Sequence, residues 1–169
     1  MALGSNLGNS ERILQQAWLE IGKSSTVETV RISSPYVTEP VGMESDHLFL
    51  NAVGILDCRI DARRLLALLQ QIEKGFGRDK KTGVEGYQDR LLDLDILYFG
   101  DSIQNSESLV LPHPYIAERL FVLAPLSEID AEHCDPVTGL TAGRMHRELL
   151  QQMSSGTTEV QNIKRRVWT

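Results

Sequence analysis

Positions 90–100 read RLLDLDILYFG, an apolar run with two carboxylates inside it. An ionised carboxylate in a buried strand is costly unless something pairs with it or binds it. Successive side chains on a strand point to opposite faces, so Asp93 and Asp95 share one face. Two like charges there repel, and a divalent cation relieves the repulsion. Mg²⁺ takes carboxylate, water and phosphate oxygens, so such a pair could hold Mg²⁺ against a nucleotide's phosphates. A solvated strand end, or pairing with basic side chains, would also account for the pair.

Basic residues flank the run. Arg90 opens it, Arg78 lies at the far end of the preceding loop, and His113 and Arg119 bracket HPYIAER downstream. Arginine suits phosphate because its fork donates two hydrogen bonds. Taken singly, each also reads as a solvated surface charge, and His113, between two prolines, as a rigid loop histidine. In a regular strand Arg90 would face away from Asp93, so it reaches the same site only from a loop that precedes regular pleating. His47, His133 and His146 show no ligand spacing.

The elements that must position these groups alternate. Residues 1–3 end a short strand, and GSNLGN follows as a loop. Ile13, Leu14, Ala17, Trp18 and Ile21 recur at helical spacing and predict a helix over 10–22. Residues 27–32 read as a strand interrupted by Pro35, and residues 47–58 as a long strand. Asp61 is an N-cap for a helix with the apolar stripe Leu65, Leu69, Ile72 and Phe76. Residues 75–86 read as a long glycine- and charge-rich loop. After the aspartate strand the chain turns helical beyond Pro114, and a last helix spans about 141–153. The order strand, helix, strand, strand, helix, strand is the ferredoxin-like βαββαβ arrangement. The expected fold is therefore α+β, a mainly antiparallel sheet with helices packed on it and a C-terminal extension, in a single domain over residues 1–169.

Composition narrows the classes. The 169 residues are 41% hydrophobic and 24% charged, ordinary for one soluble core. A formal net charge of −6 argues against non-specific nucleic-acid binding. No apolar run is long enough to span a membrane, and the first residues lack a secretory pattern. Cys58 and Cys134 lack metal-site spacing and read as reduced thiols of a cytoplasmic protein.

ALGSNLGN, SSPYVTEPVG, FLNAV, RLLDLDILYFG and LPHPYIAERLFVLAPLSEI occur in the order and spacing of a known family. From residue 2 to about 130 the chain resembles the 6-hydroxymethyl-7,8-dihydropterin pyrophosphokinases of folate biosynthesis. The resemblance implies Mg²⁺-dependent transfer of pyrophosphate from ATP to the pterin's hydroxymethyl group, with AMP released. It implies two Mg²⁺ ions on Asp93 and Asp95, with Arg78 and Arg90 stabilising the transferred charge. It places ATP on Lys80, Ile96, His113 and Arg119, and the pterin on Thr38, Pro40, Val41, Phe49, Asn51 and Phe121. A flat ring between Phe49 and Phe121, its edge bonded by Asn51, suits that chemistry. Phe49 and Asn51 share strand parity. Glu73 matches a position the family often keeps, but helix packing or an arginine pair accounts for it. The implied partners are ATP and the pterin, with no nucleic acid and no membrane, in a monomer.

The chain departs from its relatives at two loop positions. Tyr87 stands where many carry tryptophan, and Asp89 where many carry proline. An acid beside Arg90 is expected to weaken its grip on phosphate. Glycines 75, 77, 83 and 86 leave that loop permissive. It is expected to be mobile in the free protein and to close as a lid when both substrates are bound. Two other classes would use the same features: another Mg²⁺-dependent nucleotidyltransferase, which would release pyrophosphate, and a non-catalytic binding module, which would be indifferent to loss of Asp93.

Overall fold

The computed structural model describes residues 1–42, 45–77 and 89–169. Arg78, Lys80, Tyr87 and nearly all of the expected lid lie outside the described residues. In chain order the elements are β1 (Ala2–Ser5), α1 (Ser10–Gly22), β2 (Val27–Ile32), β3 (Tyr36–Thr38), β4 (Phe49–Cys58), α2 (Ala62–Gly75) and β5 (Asp93–Asp95). A small hairpin, β6 (Gln104–Asn105) and β7 (Val110–Leu111), leads to a 3-10 turn at Ile116–Glu118. Then come α3 (Leu120–Asp130), α4 (Ala142–Ser154) and β8 (Ile163–Arg165).

The sheet runs β5-β1-β4-β3-β8, with β2 also on β4 and every pairing antiparallel. β2 and β3 act as one strand broken near Pro35. At the break the Ser33 Oγ accepts a hydrogen bond from the Val53 amide at 3.0 Å, standing in for a missing backbone group. This is the ferredoxin-like order with a fifth strand added at the β3 edge.

Helices cover both faces. α1 is capped by Asn9, whose side chain accepts from the Arg12 amide, and buries Leu14, Ala17 and Ile21. α2 is capped by Asp61 as expected, and buries Ala62, Leu65, Leu69 and Glu73. These two pack with Leu3 and Leu94. On the opposite face α3 and α4 pack with Tyr36, Val53 and Leu97. Each fully buried leucine contributes about 1.5–3 kcal/mol.

The structure refines several expectations. The aspartate strand is three residues long rather than the whole apolar run, so Arg90 precedes regular pleating. The long strand starts at Phe49 rather than at residue 47. Beyond Pro114 the chain first makes the 3-10 turn, and the α-helix waits until Leu120. The tail contributes β8, for which the sequence offered no pattern.

One close approach is testable. A Cβ on Gly54 would overlap the ring of Trp18, which packs α1 onto β4. Gly54→Ala is expected to destabilise the fold by about 1–3 kcal/mol through overpacking. Urea unfolding reads the change, and an unaltered midpoint would contradict it.

Candidate active site

The registers of β5, β1, β4 and β3 place Asp93, Gly4, Asn51 and Tyr36 in one row across the sheet. Gly4 leaves that row open in the middle. A Cβ there would stand 3.0 Å from the Asn51 Oδ1 and 3.9 Å from the Asp93 Cβ. The carboxylate and the amide thus face a shared gap over β1. Asn51 and Thr38 are both buried, and the Asn51 Nδ2 donates to the Thr38 Oγ1 at 2.9 Å. That bond orients the amide with its Oδ1 toward Gly4. Phe49 sits one step along the same face of β4, opposite Thr38 and half-buried. Pro40 and Val41 follow Thr38 on the connection to β4 and are also half-buried.

Asp93 and Asp95 flank Leu94, whose amide points away from β1 and donates to the Glu73 Oε1 at 2.9 Å. Buried Glu73 therefore ties α2 to the aspartate strand, a use beyond simple helix packing. It also sets a third carboxylate beside the pair. Burial, then Asp93, then Glu73 push the Asp95 carboxyl from 3.8 up to about 6, with Arg119 and Arg90 opposing. Arg90 comes from the irregular segment before β5, and its Nη1 meets the Asp93 Oδ1 at 2.7 Å. It reaches Asp93 from before regular pleating, the condition that strand parity imposed on it.

Asn6 holds Arg90 there. Its Oδ1 accepts from the Arg90 amide at 2.7 Å, and its own amide donates to the Arg90 carbonyl at 3.2 Å. The Asn6 Nδ2 donates to the Asp89 Oδ1 at 2.6 Å, and the Ser45 Oγ donates to that same oxygen at 2.6 Å. The Ser45 hydrogen bond is the chief reason the Asp89 carboxyl sits below its usual value. Asp89 was expected to compete for Arg90. Instead its carboxylate joins the loops after β1 and β3, and Arg90 engages Asp93.

His113 and Arg119 approach from the other side. The His113 amide donates to the Leu97 carbonyl at 2.9 Å, and its Nδ1 accepts from the Tyr115 amide at 3.3 Å. Burial, then Arg119, lower the imidazole to about 4. At neutral pH the ring is uncharged, with Nδ1 used as acceptor, so Nε2 carries the proton and is a donor. The Arg119 Cζ lies 4.9 Å from the Tyr115 ring centroid and 5.6 Å from that of Phe121. A cleft of about 460 Å³ opens beside this group, lined by Gln70, Lys74, Asp95, Ile96, His113 and Pro114 among others.

Of the described candidates, Thr38, Phe49 and Asn51 adjoin one another on β3 and β4, while Asp95, Ile96 and His113 line the cleft beside β5. Another cavity, of about 350 Å³, lies toward the opposite end of β1 around Tyr98 and His133, and neither Arg90 nor Arg119 lines it. Sequence reasoning gave no role to Gly4 or Asn6, though both sit in the quoted ALGSNLGN. The signal was a glycine and an asparagine at a strand end.

Among the described residues no three His, Cys, Asp or Glu side chains form a metal site by themselves. Asp93 and Asp95 alone suit a hard cation that takes its other oxygens from water and phosphate. The excess of carboxylate over positive charge around Asp95 is the charge pattern such a cation would relieve.

The family model for 7,8-dihydro-6-hydroxymethylpterin-pyrophosphokinase matches residues 1–131. A 2-amino-4-hydroxy-6-hydroxymethyldihydropteridine pyrophosphokinase of Bacillus subtilis (strain 168) is 42% identical over 129 residues, covering 76% of this chain and 75% of its own length. One from Porphyromonas gingivalis (strain W83) is 40% identical over 131 residues, covering 76% of this chain and 88% of its own. The crystal structure of Plasmodium falciparum HPPK-DHPS, wild type with SDX-DHP, superposes with a TM-score of 0.75 at 14% identity. That match covers 97% of this chain but only 46% of the larger protein, and it establishes the likeness of fold.

The raised Asp95 value fixes a sign. The folded state holds this proton more tightly than the unfolded chain, so stability falls as pH rises from about 4 to 6. Asp95→Asn removes that loss. Measured with EDTA and no nucleotide, it is expected to gain about 3 kcal/mol at pH 7.5, with the gain vanishing near pH 4. A gain of equal size at both pH values would contradict the charge assignment.

Proposed function

The chain belongs to the 7,8-dihydro-6-hydroxymethylpterin-pyrophosphokinase family, and from that premise we propose that it transfers pyrophosphate from ATP to the hydroxymethyl group of 6-hydroxymethyl-7,8-dihydropterin. The observation that carries the reading is the row Asp93, Gly4, Asn51. A carboxylate that would hold a cation and an amide that would bond the ring edge flank one gap, which suits a reaction between a triphosphate and a heterocyclic alcohol.

In this reading the pterin lies between Phe49 and Phe121, bounded by Thr38, Pro40 and Val41. Its edge bonds Asn51, whose Nδ2 is already engaged by Thr38 and whose Oδ1 is turned toward Gly4. ATP enters the cleft beside Ile96 and His113, with Arg119 and Lys80 on its phosphates. The pterin hydroxyl oxygen forms a bond to the β-phosphorus and gives up its proton to solvent, the bond from that phosphorus to the α–β bridging oxygen breaks, and AMP leaves. Arg90 and Arg78 hold the charge that builds on the bridging and non-bridging oxygens. Neutral His113 donates from Nε2 to a phosphate oxygen without adding a positive charge near Arg119. Mg²⁺ held by Asp93 and Asp95 would neutralise the triphosphate and align its oxygens. Two such ions, a monomeric state and a cytoplasmic setting complete the reading and rest on the resemblance alone.

Mixing the protein with ATP, Mg²⁺ and the dihydropterin and separating the products by chromatography tests the reaction. AMP with a pyrophosphorylated pterin is expected. Pyrophosphate in place of AMP would point to nucleotidyl transfer instead.

Asp93→Asn and Asp95→Asn are each expected to lower turnover by about a hundredfold or more at saturating Mg²⁺, because transition-state charge is left uncompensated. Their stabilities should diverge, since Asp93→Asn also loses its pair with Arg90. Near-normal turnover of either variant would remove the pair from the site.

Phe121→Ala is expected to weaken pterin binding about tenfold while changing the affinity for a non-hydrolysable ATP analogue far less, because stacking serves the flat ring. Equal losses for both ligands in calorimetry would mean the pterin pocket is misplaced.

A further inference from the structure

The family match ends at residue 131, yet the tail returns to the site. α3 begins at Leu120, and Arg119, at its N-cap, makes no side-chain capping bond. The first amides of a helix need an acceptor from elsewhere. The Leu120 amide donates to the Gln161 Oε1 at 2.8 Å, and the Gln161 Nε2 donates to the Glu118 carbonyl at 2.7 Å. A backbone N–H only donates and a carbonyl only accepts, so the orientation of this amide is unambiguous. One side chain thus clasps the backbone on both sides of Arg119. The same turn leads directly into Phe121.

Gln161 is itself held firmly. Two residues later β8 begins, with Ile163 opposite Thr38 of β3. The Arg166 amide donates to the Pro35 carbonyl at 2.8 Å, and the Trp168 Nε1 donates to the Ser33 carbonyl at 2.8 Å. The Asn162 Nδ2 donates to the Glu39 Oε2 at 3.0 Å, next to Thr38 and Pro40. The tail therefore touches both walls of the site: the start of α3, and the loop that leaves β3.

We propose that Gln161 is a positioning residue that sets Arg119 and Phe121 through the backbone of residues 118–120, making the C-terminal tail part of the active site. The inference rests on the reading of Arg119 as a phosphate contact and Phe121 as a pterin contact. Gln161 acts by removing freedom from the turn that carries both side chains, so the arginine fork meets phosphate without a prior ordering cost. Glutamine suits the task because its amide both accepts and donates at a spacing that spans two backbone groups.

The test compares Gln161→Met, which keeps length but not hydrogen bonds, with Trp168→Phe, which removes a tail hydrogen bond far from the turn. Three quantities are read in the full chain: thermal stability, amide exchange of Leu120, and the affinity for a non-hydrolysable ATP analogue with Mg²⁺. Gln161→Met is expected to speed Leu120 exchange and weaken the analogue about tenfold each, as loss of one or two hydrogen bonds would. Trp168→Phe should lose stability without either change. Pterin turnover, where present, should show a raised KM for ATP in Gln161→Met alone. Unchanged Leu120 exchange would mean the clasp does not form in solution and overturns the proposal. Faster exchange with analogue affinity equal to that of Trp168→Phe would make the clasp a structural cap only, and overturns it too. A wild-type protein that binds the analogue but releases no AMP would overturn the transfer reaction instead, and the exchange and affinity results would still judge Gln161.

Discussion

Three carboxylates meet at a strand three residues long, and that repulsion governs the rest of the site. Asp93 and Asp95 share a face of β5, while Glu73 reaches from α2 to the backbone amide of the intervening Leu94. Each is managed differently. Glu73 accepts the outward amide of Leu94, a bond that also fixes the edge strand to the helix beneath it. Asp93 takes the Arg90 guanidinium. Asp95 is buried and left with excess negative charge around it, and both raise its proton affinity, burial the more. An edge strand that accumulates negative charge in this way is primed for a cation rather than for a hydrophobic neighbour.

The sheet makes that charge usable. β5 lies at the edge, and its neighbour β1 offers Gly4 where a side chain would close the gap to Asn51. Apolar packing is delegated to the other residues of the same strands. Leu3 and Leu94 face α1 and α2, and Val53 faces α3 and α4. Because strand side chains alternate, Leu3 and Leu94 supply core on one face while Asp93 and Asn51 lie on the other, which Val53 shares farther along β4. The helices of both layers stabilise the sheet, and its Asp93–Asn51 row stays available to ligands.

Loops complete the arrangement by hydrogen bonding rather than by burial. Asn6 brackets Arg90 and reaches Asp89, and Ser45 joins the same carboxylate. On the opposite side burial, then Arg119, keeps the His113 imidazole neutral, and the Tyr115 amide on Nδ1 leaves Nε2 as the donor. Arg119 is steadied by the Tyr115 and Phe121 rings, and its backbone by Gln161. Arg90, His113 and Arg119 are thus oriented by contacts that span much of the chain, from Asn6 to Gln161.

Periodicity carried the helix over 10–22 and the helix that Asp61 caps, because an apolar stripe and a capping side chain are local signals, whereas the Asn9 cap was not foreseen. The strand order followed from the alternation of elements, and the shared face of Asp93 and Asp95 from the two-residue repeat. The motif order around DLD and HPYIAER was likewise legible without coordinates. What only the tertiary structure decided depends on contacts distant in sequence. Arg90 reaches Asp93 because β5 is short, and Glu73 finds the Leu94 amide because α2 lies under the sheet edge. Asp89 turns to Asn6, 83 residues away, rather than to its neighbour Arg90. Ile163–Arg165 has no alternating pattern of its own and becomes a strand only because β3 offers it an open edge. Pairing across such distances is set by the surfaces that folding brings together, and no local pattern encodes it.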